Sequence, residues 1–314
     1  MKGYFMTNIE VINRIEELQK TFVHYRFWNH DPSSANDPNS VTLEPCNHHS
    51  SGCTTNGSCG CNSFAGGRQC FAFALYIAYL TFGSYPIYTS STPANGGDCG
   101  NGWKKYNSGF TSSLKLEPGD IVRCSGHSAI VWYVSGDLFQ VGEVWGDPPN
   151  AKDNCRINWG NFNGSSNNRS MSSIISNAEY IIKAPKTYSK IKNAGSGKFL
   201  TVLNSEVGEG KRVVQLTNNG LDNQKWDVMK YDIKTFLDLD YGIKLVLSEG
   251  SQCKIYDTSS ETVSPVVVES SGSYYFIKSD SGSSPYYLVA DASGANVYWT
   301  QSNDTSAYKK WIIS

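Results

Sequence analysis

The sequence predicts an α+β domain, with one buried helix on an antiparallel sheet, followed by an all-β domain built from three repeats. Three observations carry this reading. Residues 70–82 form a 13-residue apolar run opened by Cys70. Between residues 120 and 183 apolar segments recur between turn signals, as consecutive strands do. From residue 198 onward a strand motif returns three times, with Leu200, Leu245 and Leu288 spaced by 45 and 43 residues. A chain of 314 residues accommodates two domains, and we place them at 1–183 and 184–314.

Residues 70–82 are followed by Gly83 and, just beyond, Pro86, both helix stop signals. At ~1.5 Å per residue the run reaches only about 20 Å, too short to cross a bilayer. Apolar residues on nearly every side predict a helix buried inside a domain. A cysteine in its first turn sits at the positive end of the helix dipole, which favours a thiolate. On this stretch alone, a packed structural thiol and a reactive one are equally compatible.

The net charge of -1 and a charged fraction of 18% give no reason to expect nucleic acid or an anionic membrane as partner. The abundance of Gly, Ser, Asn, Thr and Tyr suits an extracellular or carbohydrate-facing protein. Residues 1–20 lack the apolar core of a secretory leader. Ile9, Ile12, Ile15 and Leu18 there predict a short amphipathic helix. The expected location is outside the cell or in a cell wall, by a route the sequence does not reveal.

The chain has nine cysteines, an odd number. Four of them, Cys46, Cys53, Cys59 and Cys61, crowd into a Cys-rich loop at 44–67 together with His48 and His49. No paired C-x2-C spacing is present, so zinc is a weak reading beside disulfides and reduced structural thiols. With the others paired, one thiol must stay free, and Cys70 is the candidate.

A thiol nucleophile requires a base and a group that orients the base. His127 opens a strand, residues 127–134, behind the turn Ser125-Gly126. With a three-residue hairpin loop at 135–137, strand parity puts Val134 opposite Leu138, Ala129 opposite Glu143, and Glu143 on the face of His127. Phe139 and Val141 share that face, which we expect to be the helix-facing one. A two-residue loop would turn Glu143 away from the histidine. Residues 155–159 and 180–183 read as further strands, while 85–113, with Trp103 and Tyr106, and 161–173 read as loops.

These residues resemble the CHAP family, the cysteine- and histidine-dependent amidohydrolase/peptidase group of the papain-like superfamily. The matching pieces are Gly67-Arg68-Gln69-Cys70-Phe71-Ala72, Pro118-Gly119-Asp120-Ile121, Gly126-His127-Ser128-Ala129 and Glu143-Val144-Trp145, across roughly residues 60 to 160. The resemblance implies a papain-like fold and cleavage of peptidoglycan, as an N-acetylmuramoyl-L-alanine amidase or crosslink endopeptidase. It further implies Cys70 as nucleophile, His127 as base and Glu143 as the residue that orients the imidazole. The oxyanion would be held by the Cys70 N–H, with Gln69 and Asn62 as side-chain candidates. No cofactor is implied. The family often has Asn two residues after the Glu; here Trp145 stands there.

The second domain resembles ricin-type β-trefoil lectins through Asn223-Gln224-Lys225-Trp226 and the later YKKW ending at Trp311. An aromatic-ended segment, SYYF closing at Phe276, is read as the second repeat's equivalent. The family's acid and aromatic positions are Thr201 and Thr217 in the first repeat. In the third, Asp291 and Trp299 are the expected sugar-binding pair, while Lys309 replaces the Q-x-W glutamine. Peptidoglycan and a glycan are therefore the expected partners. The alternatives are a lectin-linked protease or toxin-like effector acting on proteins, and a non-catalytic glycan-binding protein.

Overall fold

The computed structural model describes residues 5–24, 28–30, 41–42, 63–65, 67–87, 95–109, 111, 114–135, 138–145, 156–162, 170–245, 248–259, 264–279, 284–301 and 306–314. Two units separate, Met1–Met6 with Glu10–Lys186 and Thr7–Ile9 with Thr187–Ser314. Their junction falls at 186/187, where the sequence reading has 183/184. The Cys-rich loop residues Cys46, Cys53, Cys59 and Cys61 lie outside the described residues, as does Asn62.

The first unit holds α1 (Asn8–Thr21) from Glu10 onward and two short antiparallel pairs, β1 (Asn29–His30) with β2 (Val41–Thr42) and β3 (Ser63–Phe64) with β4 (Gly67–Arg68). Then come α2 (Gln69–Phe82), β5 (Asn95–Asp98), β6 (Lys104–Asn107), β7 (Ile121–Cys124), β8 (His127–Ser135), β9 (Leu138–Trp145), β10 (Arg156–Gly160), α3 (Met171–Asn177) and β11 (Ala178–Lys183). Seven of these strands form one antiparallel sheet in the order β10-β9-β8-β7-β11-β6-β5.

Helix α2 is the predicted buried helix. Residues 72 to 78 are all nearly or wholly inaccessible, so its side chains fill the core on every side. Gly83 ends it with φ 65, its N–H donating to Tyr79 O at 2.8 Å. The helix packs on one sheet face through Ile121, Ile130, Val144, Ile157 and Ile182. Trp159 lies on this face against Phe73, ring centroids 6.0 Å apart. Its partner across the ladder is Gly142, where any Cβ would run into the Trp159 ring. Val122, Ala129, Val131, Val141 and Ile181, of the opposite parity, are buried too, so the sheet is covered on both faces.

The Pro118-Gly119-Asp120 turn is fixed by a buried charge. Asp120 is inaccessible, accepting from Lys183 Nζ at 2.6 Å, Glu117 N at 2.8 Å and Ala184 N at 3.0 Å. Burial pushes its carboxyl pKa up against the pull of Lys183. The network holds the start of β7 to the end of β11.

Two expectations are corrected here. The region read as a loop at 85–113 holds β5 and β6, with Trp103 fully buried between them. Its strands, NGGD and KKYN, lie at the sheet's far end and have no apolar alternation to betray them. The supposed loop at 161–173 runs into α3, capped by Ser170, whose Oγ accepts from Ser173 N at 3.2 Å.

Among its described residues the second unit has twelve strands, four per repeat. They are β12 (Ile191–Asn193), β13 (Phe199–Val202), β14 (Lys211–Leu216) and β15 (Trp226–Met229), then β16 (Asp232–Thr235), β17 (Asp238–Lys244), β18 (Lys254–Asp257) and β19 (Val266–Ser271). The last four are β20 (Tyr274–Ser279), β21 (Tyr287–Ala290), β22 (Val297–Thr300) and β23 (Trp311–Ile313). All twelve belong to one sheet. The third strand of each repeat meets that of another: Val213 N donates to Cys253 O, Cys253 N to Val297 O, and Gln215 N to Ala295 O. Leu200, Leu245 and Leu288 are buried in the shared core. No repeat can enclose a core alone, and the pattern is that of a β-trefoil. One element of the expected repeat is corrected. Phe276 lies on β20, which opens the third repeat, whereas buried Val266 begins β19 as Trp226 begins β15 and Trp311 begins β23.

The Gly142–Trp159 contact gives a direct test. Gly142→Ala should lower stability in urea by about 1–3 kcal/mol through overpacking, and an unchanged transition would contradict the packing described.

Candidate active site

The site is built where α2, β8, β9 and β10 meet. Cys70 occupies the first turn of α2, partly exposed. His127 opens β8 because Ser125 and Gly126 form a two-residue hairpin turn, with Cys124 paired to His127 and positive φ at both turn residues, 54 and 76. Glu179 closes over this turn. It accepts from Gly126 N at 2.5 Å and from Arg123 Nε at 2.9 Å.

The β8–β9 ladder explains how the sulfur enters. Val131 N donates to Asp120 O, so the intervening amides of β8, Ser128 and Ile130, point toward β9. Registered pairing with β9 extends only as far as Ile130↔Gly142, although β9 stays paired with β10 up to Trp145↔Arg156. Beyond Ile130 the next inward amide, Ser128 N, donates instead to Cys70 Sγ at 3.4 Å. The sulfur thus takes the place of the next ladder rung.

The register at this end is the one parity predicts, but it arises differently. Ser135 pairs with Leu138, which leaves a two-residue connection rather than three. A register shift between Val131 and Tyr133 then restores Ile130↔Gly142, which sets Glu143 level with Ala129 and on the side of His127. That face is not the one against α2, as expected, but the opposite one, since Ile130, Gly142 and Trp159 have the helix-facing parity.

Glu143 is completely buried, its Oε2 2.9 Å from His127 Nε2. With Nε2 on Glu143, Nδ1 is the ring nitrogen left for Cys70, whose sulfur helps to raise the imidazole's pKa. Glu143 Oε1 accepts from Asn158 Nδ2 at 2.8 Å, and the same amide donates to Asn161 O at 3.1 Å. Phe162 packs edge-on against the imidazole, centroids 5.4 Å apart. Sequence reasoning missed Asn158 and Phe162. Asn158 lies directly across the ladder from Glu143, so the β9–β10 register is the signal that identifies it.

The electrostatics are those of an ion pair. Burial pushes the Cys70 thiol up, but the hydrogen bond and charge of His127, aided by Ser128 N and Arg123, bring it below the ordinary value. Burial lowers His127, yet Cys70 and Glu143 together raise it to about 9. Cys99 and Cys253, without such a partner, are both pushed up by burial. Both shifts favour the thiolate and the imidazolium over the neutral pair. The Cys70 N–H, in the helix's first turn, has no partner within the helix and is available to an oxyanion. Gln69 also lies in this turn, though its side chain is not among those described.

In the second unit the Q-x-W residues support the frame. Gln224 Nε2 donates to Thr201 Oγ1 at 3.0 Å and to Thr217 O at 2.9 Å. Trp226 Nε1 donates to Leu200 O and Trp311 Nε1 to Leu288 O, both at 3.0 Å. The expected sugar pair does not form. Leu200 pairs with Gln215 and Leu288 with Trp299, so Trp299 is the counterpart of an inward position and is 1% exposed. The counterpart of Thr201 is Val289, not Asp291, whose Oδ1 accepts from Ser293 N at 3.0 Å to cap a turn. Lys309 places its ammonium 4.5 Å from the centre of the Tyr287 ring.

Among the described residues no group of three or more His, Cys, Asp or Glu side chains could hold a metal ion, and no helix is long and apolar enough to cross a membrane. No family model matches the chain, and no curated protein does. Solved structures similar to it include β-trefoil lectins. A designed threefold-symmetric protein, ThreeFoil, is 25% identical, with TM-score 0.36, covering 40% of this chain and 96% of its own. The C-half of an earthworm R-type lectin, in complex with GalNAc, is 18% identical, with TM-score 0.33, covering 41% and 98%. The β-trefoil lectin of the Vibrio vulnificus hemolysin/cytolysin is 15% identical, with TM-score 0.33, covering 40% and 93%.

Two expectations follow. His127→Ala should move the midpoint of Cys70 alkylation by iodoacetamide upward, because only Ser128 N and Arg123 then remain to oppose burial. An unmoved midpoint would exclude the imidazole as partner. Asn158→Ala leaves a buried carboxylate one donor short, and should cost about 1–3 kcal/mol in chemical denaturation.

Proposed function

We propose that the first unit is a papain-like cysteine amidohydrolase that cleaves an amide bond of peptidoglycan, and that the trefoil binds glycan. The observation that carries the enzymatic part is the buried Glu143 carboxylate behind His127, with the imidazole in turn on Cys70. Burying a carboxylate is costly unless it is paired, and a packed structural thiol needs no such apparatus. The resemblance to the CHAP family supplies the substrate class.

The chemistry follows the geometry. The thiolate attacks the scissile carbonyl carbon, and the carbonyl π electrons move to oxygen, where the Cys70 N–H stabilises the charge. The imidazolium of His127 gives its proton to the departing amine nitrogen as the C–N bond breaks, leaving a thioester. His127, now neutral, takes a proton from water. The hydroxide displaces the sulfur, and free acid and thiolate are released. Glu143 keeps the ring oriented and stabilises its charged form throughout. Either amidase or endopeptidase specificity is compatible with these steps.

The glycan-binding role rests on the Gln224 and Trp226 frame that resembles ricin-type lectins. With Trp299 in the core, the half-exposed rings of Tyr274, Phe276 and Tyr287 on β20 and β21 are the surfaces a sugar can stack on. A second reading, glycan binding without catalysis, is favoured by the completeness of the trefoil, with its three repeats around one core.

Cys70→Ala separates the readings. Digestion of purified cell walls should fall by about 10⁴-fold or more, read as new amino termini and product masses, while glycan retention is unchanged. Wild-type protein that releases nothing from walls but cuts denatured protein would select the protease alternative. Full wall digestion by the variant would overturn the assignment.

A further inference from the structure

The nucleophile has a cationic neighbour that the steps above do not use. Arg123 lies on β7 directly opposite Ser128 and Tyr180. Its Nε is held by Glu179 at 2.9 Å and its Nη1 donates to Ser128 Oγ at 3.1 Å. Ser128 is the residue whose N–H donates to Cys70 Sγ, so the guanidinium stands one side chain away from the sulfur. Arg123 is 29% exposed, and among the described residues Nη2 donates to no protein acceptor. Phe71, next to Cys70, meets the Tyr180 ring edge-on at 6.4 Å, and Lys105 Nζ lies 5.1 Å from the centre of that ring. The nucleophile is thus flanked by an aromatic wall and a pre-oriented guanidinium.

We infer that Arg123 is a specificity-determining residue that binds a free carboxylate of the substrate adjacent to the scissile amide. Three features carry this. The guanidinium is fixed by two side chains, so little freedom is lost on binding. Its outer edge is open beside the reactive sulfur, where a planar carboxylate can accept more than one N–H. Glu179 is already engaged by both Gly126 N and Arg123 Nε, so it orients the arginine rather than closing the site. The substrate class this selects is an acidic peptide, with the carboxylate on the residue next to the bond cut. The inference rests on the reading of Cys70 as a reactive nucleophile.

The test uses two alkylating probes of the same size on the full chain. Iodoacetate presents a carboxylate to the guanidinium, whereas iodoacetamide is neutral. In the wild type, Cys70 should react faster with iodoacetate than a free thiol's ratio of the two rates predicts. Arg123→Gln should cut that preference, read as the ratio of the two rates, by about tenfold, the effect of ~1.4 kcal/mol at 25 °C; the ratio cancels the change in thiolate fraction that loss of the Arg123 charge brings. A preference retained in Arg123→Gln overturns the inference. Slow reaction of wild-type Cys70 with both probes instead overturns the nucleophile reading and this inference with it. A second measurement on wild-type protein does not depend on the variant folding. N-acetylalanine should slow iodoacetamide labelling of Cys70 more than N-acetylalaninamide does, and equal protection counts against the inference.

Discussion

The buried carboxylate of Glu143 is the constraint on which the first unit's architecture depends. A carboxylate with no exposure must be given donors, and each oxygen has one: His127 Nε2 on one side and Asn158 Nδ2 on the other. Satisfying it requires three adjacent strands in one register. It also requires β8 to part from β9 after Ile130, so that the α2 sulfur can reach the Ser128 amide. The ring nitrogen not used by Glu143 is thereby turned toward Cys70. Hairpin turn, register shift and helix start all serve one row of side chains, and the lowered Cys70 and raised His127 pKa values follow from it.

Much of this was legible in the residues, and the limits have physical causes. Helix α2 announced itself because apolar side chains on every side leave no other placement. Strands β7 to β9 were legible because each is a run of apolar residues between turn signals. The relation of Glu143 to His127 came out of parity, although the loop is one residue shorter than expected and the Val131–Tyr133 shift compensates. Parity says which residues share a face, but not which face the helix covers, and that inference failed. Asn158 stayed hidden because its role depends on strand pairing, a non-local property. The strands β5 and β6 were missed because their sequences have no apolar alternation.

The second unit shows the same division between pattern and placement. The recurring leucines marked three repeats because the shared core demands a large apolar group at each equivalent position. The resemblance to ricin-type lectins makes Trp299 a surface ring, but equivalence in the ladder puts it at the position of buried Gln215. Aromatic spacing alone misled at Phe276 for a related reason, since repeats of unequal loop length shift the alignment. Strand pairing, not residue type, decides such positions.

The central claim is that Cys70 and His127 form a thiolate–imidazolium pair with Glu143 behind it. The most direct measurement is the NMR titration of the His127 ring in the wild type and in Cys70→Ala. The account predicts a midpoint near 9 in the wild type that falls toward the ~6.5 of a free histidine once the sulfur is gone. A wild-type midpoint near 6.5, or one that Cys70→Ala leaves unmoved, would contradict it.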